Sequence, residues 1–485
     1  MNYRMVVFVL GRIFLVEAAM LLLPMTCSAI YGEWYMLPAF LLPAVILLLL
    51  GLAASLRTPK NTTIYARDGL AIVALVWVLM SAFAALPFVI SGEIPAFADA
   101  FFEMVSGFTT TGSTILNDVE ALSRGALFWR SFSHWVGGMG VLVFAMAVLP
   151  MTDGRAMHLM RAEVPGPTCG KLSSKLSDSA KILYGIYFAM TALEVVFLCA
   201  GGMSLYESLI HSFGTAGTGG FSNRGLSIGA YQNPYFEWVI GIFMLLFGVN
   251  FNLYYFILMR HFREAFGSEE LRAYLGIVLF STVTIAANIL SMVGSVGEAV
   301  RTAFFQVSSI ITTTGYATAD FNLWPTYSRI LLLVLMFVGG CAGSTAGGLK
   351  MSRVIIFFKA ARQDLNKMLH THAVTTIRFE GKPLDEKTLQ GVHNYFNVYM
   401  LLIMLSTVLV SLDGFDLTTT FTAVITCINN VGPGMEMVGP MGNFSQFSAP
   451  VKYLLSFDML AGRLELYPML AMFAPRLWRS RRTMR

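Results

Sequence analysis

The chain has 485 residues, of which 56% are hydrophobic and only 13% charged, with a mean hydropathy of +0.66. Soluble domains carry about 25% charged residues, so too little polar surface remains here to cover a globule of this size. A soluble multidomain enzyme, a disordered chain and a fibre are excluded, and the net charge of +5 is too small to imply a nucleic-acid partner.

A membrane-spanning helix needs about 20 mostly apolar residues. In chain order such stretches fall near 6–23, 34–56, 69–91, 128–150, 181–201, 235–259, 272–293, 329–349, 394–411 and 451–475, which makes ten spans of an all-α polytopic membrane protein. The first holds Arg12 and Glu17 and lacks a small-residue cleavage site, so it reads as a retained span and not a signal peptide. Orientation follows Lys and Arg. With a cytoplasmic N-terminus, only Arg124, Arg130, Arg224, Arg301, Arg329 and Lys452 fall outside. Most of the remaining basic residues, among them Arg57, Lys60, Arg67, Arg260, Arg263 and Arg272, fall inside, and both termini are cytoplasmic. Cys27, Cys169, Cys199, Cys341 and Cys427 are scattered without CxxC spacing and read as small buried hydrophobes.

Between spans three and ten, four outer connections carry a semi-apolar stretch of about a dozen residues that ends in a Gly/Thr-rich motif: FTTTGST, TAGTGGFS, TTTGYAT and NNVGPGM. Centring them on a shared glycine aligns Gly112, Gly219, Gly315 and Gly432, about a hundred residues apart, the mark of an internal repeat. The chain then divides into two N-terminal helices (1–67) and four repeats (68–150, 151–270, 271–392 and 393–485). Each repeat reads as outer helix, short helix, extended segment and inner helix. A helix of 12–14 residues is roughly 20 Å long, too short for a hydrocarbon core of about 30 Å. It must enter from outside, stop near mid-depth and return. Non-helical backbone survives there only where it lines a protein or water cavity, so four such re-entrant loops facing one axis imply a pore.

The chemistry suits a monovalent cation. Short helices point the negative ends of their dipoles at the centre, and extended segments add backbone carbonyls that replace a hydration shell. The candidate ligands are Thr110, Thr111 and Gly112; Thr218, Gly219 and Gly220; Thr313, Thr314 and Gly315; and Asn430, Val431 and Gly432. The metal contacts are expected mainly from the carbonyls of Thr111, Gly112, Thr218, Gly219, Thr314, Gly315, Val431 and Gly432. No His/Cys/Asp/Glu set has metal-ligand spacing and no GxxxxGK[ST] occurs, so no organic cofactor is expected.

These four motifs resemble the filter loops of the Trk/Ktr/HKT superfamily of potassium-translocating proteins, and the two extra N-terminal spans are most similar to its bacterial TrkH branch. The resemblance implies a pseudo-fourfold, potassium-channel-like pore in one chain, a potassium ion as the transported species, a homodimer in the bacterial inner membrane, and a cytoplasmic nucleotide-binding regulatory subunit. In that family a glycine at all four filter positions goes with potassium selectivity, and here all four are glycine. The fourth loop departs from the Thr-rich pattern at Asn429, Asn430 and Pro433, so the filter is expected to lack fourfold symmetry.

The third inner helix contains FVGGCAGSTAGGLK, whose Gly339, Gly340, Gly343, Gly347 and Gly348 each cost about 1 kcal/mol in a helix relative to Ala. The run should break the helix in mid-membrane, with Ser344 and Thr345 below the filter; close helix packing through small residues is the competing reading. The resemblance implies an intramembrane gate, so deleting Gly340 to Gly347 is expected to raise flux and keep selectivity. Arg463 lies in the last span, where a central Arg must face protein or water. It either pairs with another helix or stands beside the conduction path, where the resemblance favours a gating role. His134, His211, Glu103, Glu298 and Asp458 read as hydrogen-bonded packing residues. The basic segments 151–180 and 350–393 enforce topology and offer a surface to anionic membrane lipid or an acidic protein.

Potassium uptake through a gated pore is the leading reading. A secondary active symporter coupling potassium to protons or sodium is the alternative, yet such transporters pair inverted repeats and these four units share one orientation. A membrane-embedded enzyme would need convergent carboxylates, His or Cys, and the chain shows no such cluster.

Overall fold

The computed structural model describes residues 1–61, 64–140, 176–370 and 376–478. The end of the fourth expected span (141–150), Cys169, and the basic residues Arg155, Arg161, Lys171, Lys175, Arg479, Arg481, Arg482 and Arg485 lie outside them.

Helix α1 (Tyr3–Met20) continues past Leu21 into α2 (Leu22–Ile30), and α3 (Leu37–Ser55) returns beside it. Gly11 and Gly51 make the approach possible: a Cβ on Gly11 would meet Ala54 Cβ at 2.6 Å, and one on Gly51 would meet the Gly11 carbonyl oxygen at 2.8 Å. Small residues at a crossing let two membrane helices pack backbone to backbone.

Four units follow. Their outer helices are α4 (Ala66–Ser91), α7 (Leu176–Ala200), α12 (Glu269–Val293) and α16 (Glu386–Val410). Each leads into a short helix: α5 (Phe97–Phe108), α8 (Leu205–Gly217), α13 (Val296–Ile311) and α17 (Leu417–Asn429). These have 12, 13, 16 and 13 residues, so the third is longer than expected. Ser204 and Asp416 cap α8 and α17, their side chains accepting from the backbone N–H of Glu207 and Thr419.

The inner helices are shorter than the outer ones. Among the described residues six helical segments are long and apolar enough to cross a bilayer: Tyr3–Ile30, Trp34–Ser55, Ala66–Ser91, Lys181–Ala200, Glu269–Val293 and Glu386–Asp413. The inner helices α6 (Arg124–Gly138), α9 (Pro234–Phe247), α14 (Thr326–Val338) and α18 (Ala449–Arg463) have only 15, 14, 13 and 15 residues. At 1.5 Å per residue each covers about 20–23 Å. Their ends have local causes. Gly140 follows α6 with φ +83. Asn250 caps a new helix, α10 (Phe251–Leu258), bent 92° from α9. Gly339 at φ +70 stops α14 ahead of α15 (Met351–Leu369), and Glu465 and Leu466, at φ +61 and +62, separate α18 from α19 (Tyr467–Met472). The short helix α11 (Phe262–Gly267) precedes α12, and a short hairpin, β1 (Arg378–Phe379) with β2 (Lys382–Pro383), precedes α16.

The largest buried cluster joins α1, α3, α4, α5 and α6 with α16, α17 and α18, and a second surrounds α12, α13 and α14. Apolar side chains face outward on the outer helices, such as Phe188, Leu193 and Val196 on α7 or Leu401, Leu405 and Val408 on α16. In water these stripes would be unstable; against lipid they are the expected surface.

Candidate functional site

The four short helices end identically. The N–H groups of Thr110, Thr218, Thr313 and Asn430 donate to the carbonyls three residues back, on Gly107, Thr215, Ile310 and Cys427. The next N–H in each loop donates five residues back, to Ser106, Gly214, Ser309 and Thr426. That pair of bonds is a Schellman motif, which requires a left-handed residue at the turn. Thr110, Thr218, Thr313 and Asn430 take it, with φ between +55 and +56. Two residues later a glycine is left-handed in every loop: Gly112, Gly220, Gly315 and Gly432. Backbone geometry therefore aligns Gly220, and not Gly219, with the other three; in TAGTGGFS the doubled glycine hides the register.

The loops close into a ring. A Cβ on Gly112 would run into the carbonyl oxygen of Gly219, one on Gly220 into that of Thr314, and one on Gly315 into that of Val431. One on Gly432 would meet the Thr111 carbonyl oxygen at 2.7 Å. Each loop thus sets its glycine against the next loop's carbonyl, first to second to third to fourth and back to first. The same four glycines line an open cavity of about 90 Å³.

The expected loss of fourfold symmetry is confined to side chains, because Asn430 reproduces the threonine backbone. Its Nδ2 donates to Thr111 Oγ1 at 2.9 Å and to the Met459 carbonyl at 2.9 Å. Ser113 Oγ donates to the Gly432 carbonyl at 3.1 Å, bracing the seam between loops four and one. His134 braces loop two. Its Nδ1 lies 2.7 Å from the Gly107 carbonyl, which can only accept, so Nδ1 carries the proton and Nε2 accepts from the Phe221 N–H at 3.2 Å. Fully buried Arg130 pairs with Glu103 at 2.7 Å and reaches the Ser222 carbonyl at 3.3 Å. Tyr316 donates its hydroxyl to the His211 carbonyl at 3.0 Å and lies 3.3 Å from that of Phe221, tying loop three to loop two. Asp458 accepts from Ser406 at 2.8 Å, whereas Glu298 is exposed and only 4.0 Å from Arg301.

Under the ring, Gly339–Lys350 is non-helical and buried except at Gly343 and Gly348, which are half-buried. Gly347 N–H donates to Thr313 Oγ1 at 2.6 Å, so the segment touches the third loop directly. Gly348 N–H donates to the Asn429 carbonyl at 3.0 Å, Cys341 N–H to the Gly248 carbonyl at 2.9 Å, and Thr345 Oγ1 to the Phe247 carbonyl at 3.2 Å. Gly340, Gly343, Ser344, Thr345 and Gly347 thus lie in one non-helical segment held by three repeats. Ser344 turns back on its own segment, donating to the Cys341 carbonyl at 2.6 Å. Glu465 pairs with Arg353, whereas Arg463 is turned to backbone carbonyls. Its guanidinium donates to the Thr345 carbonyl at 2.8 Å and to those of Gly137 and Gly138 at 2.6 and 2.5 Å. It joins the segment to the end of α6.

Among the described residues no group of three or more His, Cys, Asp and Glu side chains is placed to hold a metal. What the ring offers a cation is carbonyl oxygen. Four described cysteines are free, and Cys27, Cys341 and Cys427 are buried. The residues that sequence reasoning passed over are Glu270 and Lys350. Lys350 is buried, at φ +73, with its ammonium donating to the Ala346 carbonyl. Its place at the end of a glycine run was the available signal.

Residues 37–480 match the family model TrkH, described as a cation transport protein. The chain is 37% identical to the Trk system potassium uptake protein TrkH of Escherichia coli K12 over 421 residues, 85% of this chain and 86% of that protein. It is 34% identical to TrkG of the same strain over 485 residues, 99% of each. The crystal structure of the potassium transporter TrkH from Vibrio parahaemolyticus superposes with a TM-score of 0.89 at 30% identity, covering 99% of this chain and all of that one.

Proposed function

The chain belongs to the TrkH family of cation transport proteins, and from that premise we propose how this sequence carries potassium across the cell membrane. The carrying observation is the closed ring of glycine against carbonyl at all four seams. A dehydrated potassium ion at the axis meets carbonyls of the four loops, Thr110 to Gly112, Thr218 to Gly220, Thr313 to Gly315 and Asn430 to Gly432, in place of water. Short-helix dipoles add negative potential from behind, and no carboxylate is needed. An inside-negative potential favours uptake by about 2.3 kcal/mol per charge per 100 mV. Segment Gly339–Lys350 is the gate, plugging the passage just below the ring, and Arg463 holds it there. Domain limits follow the four repeats after residue 67.

The relatives are named as components of a Trk system, and this chain is its membrane-embedded part. A homodimer in the bacterial inner membrane, with cytoplasmic termini and a nucleotide-binding regulatory subunit on the basic inner face, completes the reading. The test is cation flux in proteoliposomes at clamped potential, comparing potassium, rubidium, sodium and lithium for the native chain and Gly315→Ser. Potassium and rubidium should lead, and Gly315→Ser should narrow their lead over sodium by about tenfold or more, because its hydroxyl-bearing Cβ displaces the Val431 carbonyl. Flux blind to cation and substitution removes the filter; flux that follows a proton gradient favours symport.

A further inference from the structure

The gate segment is not held only from the pore side. Its two ends cross: the Leu349 N–H donates to the Phe337 carbonyl at 3.2 Å and the Met351 N–H to the Gly340 carbonyl at 2.9 Å. Behind this crossing sits Glu270, in the first turn of α12 and 5% exposed. Its Oε1 accepts from the Ala342 N–H at 2.7 Å and from the Ser352 N–H at 2.9 Å. Ala342 lies inside the segment. Ser352 lies in the first turn of α15, where N–H groups have no intrahelical acceptor. One carboxyl oxygen therefore serves donors on both sides of the loop, and the segment cannot straighten toward α15 without abandoning one of them.

Glu270 is itself held from the cytoplasmic side. Glu380, at the turn of the β1–β2 hairpin, accepts from the Glu270 N–H at 3.0 Å and from Ser268 Oγ at 2.8 Å. Lys359 on α15 pairs with Glu269 at 2.5 Å and donates to the Arg378 carbonyl at 2.8 Å. Phe379 of the hairpin packs with Ile356 of α15 and Val392 of α16. A short polar chain thus runs from the cytoplasmic surface through the start of α12 to the gate segment.

We propose that Glu270 is a positioning residue that latches the gate segment shut, and that the hairpin bearing Glu380 is the handle through which a cytoplasmic force releases it. This rests on reading Gly339–Lys350 as the gate. Two readouts test it in the purified full-length chain: rubidium flux in proteoliposomes, and maleimide labelling of Cys341, which is fully buried inside the segment, with the other four cysteines replaced by serine. Glu270→Ala should raise basal flux about tenfold, the scale of one buried hydrogen bond no longer favouring the closed arrangement, and should expose Cys341. Glu270→Gln keeps an acceptor oxygen of the same reach and should move both readouts less. Glu380→Ala should move both in the same direction, and it decides the matter should Glu270→Ala not fold. Unchanged flux and labelling in the Glu270 and Glu380 variants overturn the latch if deleting Gly340 to Gly347 still raises flux. If that deletion also changes nothing, the gate itself is wrong. A rise in flux with Cys341 still protected also overturns the latch, since the pore would then be leaking elsewhere.

Discussion

Threonine in a left-handed conformation costs about 1–2 kcal/mol, and this chain accepts that cost at Thr110, Thr218 and Thr313. The Schellman bonds offset it, and the reward is a backbone turned so that successive carbonyls face the neighbouring loop. Arg463 is the other residue whose surroundings explain its presence. Its guanidinium donates to three backbone carbonyls, Thr345 below the ring and Gly137 and Gly138 on α6. A planar fork of donors can span those three acceptors; a lysine ammonium is a point charge and cannot reach all of them together. Arg463→Ala should therefore raise flux several-fold, on the order of one or two charged hydrogen bonds, with Arg463→Lys between it and the native chain. Equal loss of folded protein in both, by size-exclusion chromatography, would mean that the arginine serves folding alone. The presence and depth of Arg463 were legible in the sequence, but its partners were not, because backbone carbonyls leave no trace in residue identity.

At the scale of elements, the short helices and their turns were legible because Gly/Thr clusters recur after each apolar dozen. The register of the second loop was not: TGG offers two glycines, and only φ separates Gly219 from Gly220. The breaks in the inner helices were read for the third alone, where five glycines announce it. Elsewhere the signals are slight, a single Gly248 before Asn250 or the sequence Glu465–Leu466, which carries no helix breaker at all. The caps of the short helices are testable as elements. Hydrogen bonds from Thr419, through its side chain and then its N–H, hold the exposed Asp416 carboxyl below the usual carboxylate range. A group depressed on folding contributes stability above its ordinary pKa and loses it as pH falls through the lowered value. Asp416→Ala should cost about 1 kcal/mol at neutral pH. Asp416→Asn should keep most of the cap while flattening the acid limb of the thermal-melting curve in detergent.

At the scale of the whole molecule, orientation rests on where Lys and Arg lie. In a chain with its native cysteines replaced by serine, an impermeant maleimide should label Leu412→Cys in intact cells and Lys387→Cys only after permeabilisation, since the two flank opposite ends of α16. The reverse pattern inverts the topology. The division into four units was legible from repetition, whereas the anchorage of Gly339–Lys350 across three repeats was not, since it joins residues as far apart as Phe247 and Arg463. The ring is also built from a single polypeptide, which has a genetic consequence. In an assembly of four identical chains every substitution strikes all quadrants at once. Here one codon alters one quadrant, so Asn430 can replace threonine, and the non-helical Gly339–Lys350 segment can grow from the third quadrant alone, without imposing the same change on the other three. Mutations at this filter act in quarter doses, and the molecule can be tuned one quarter at a time.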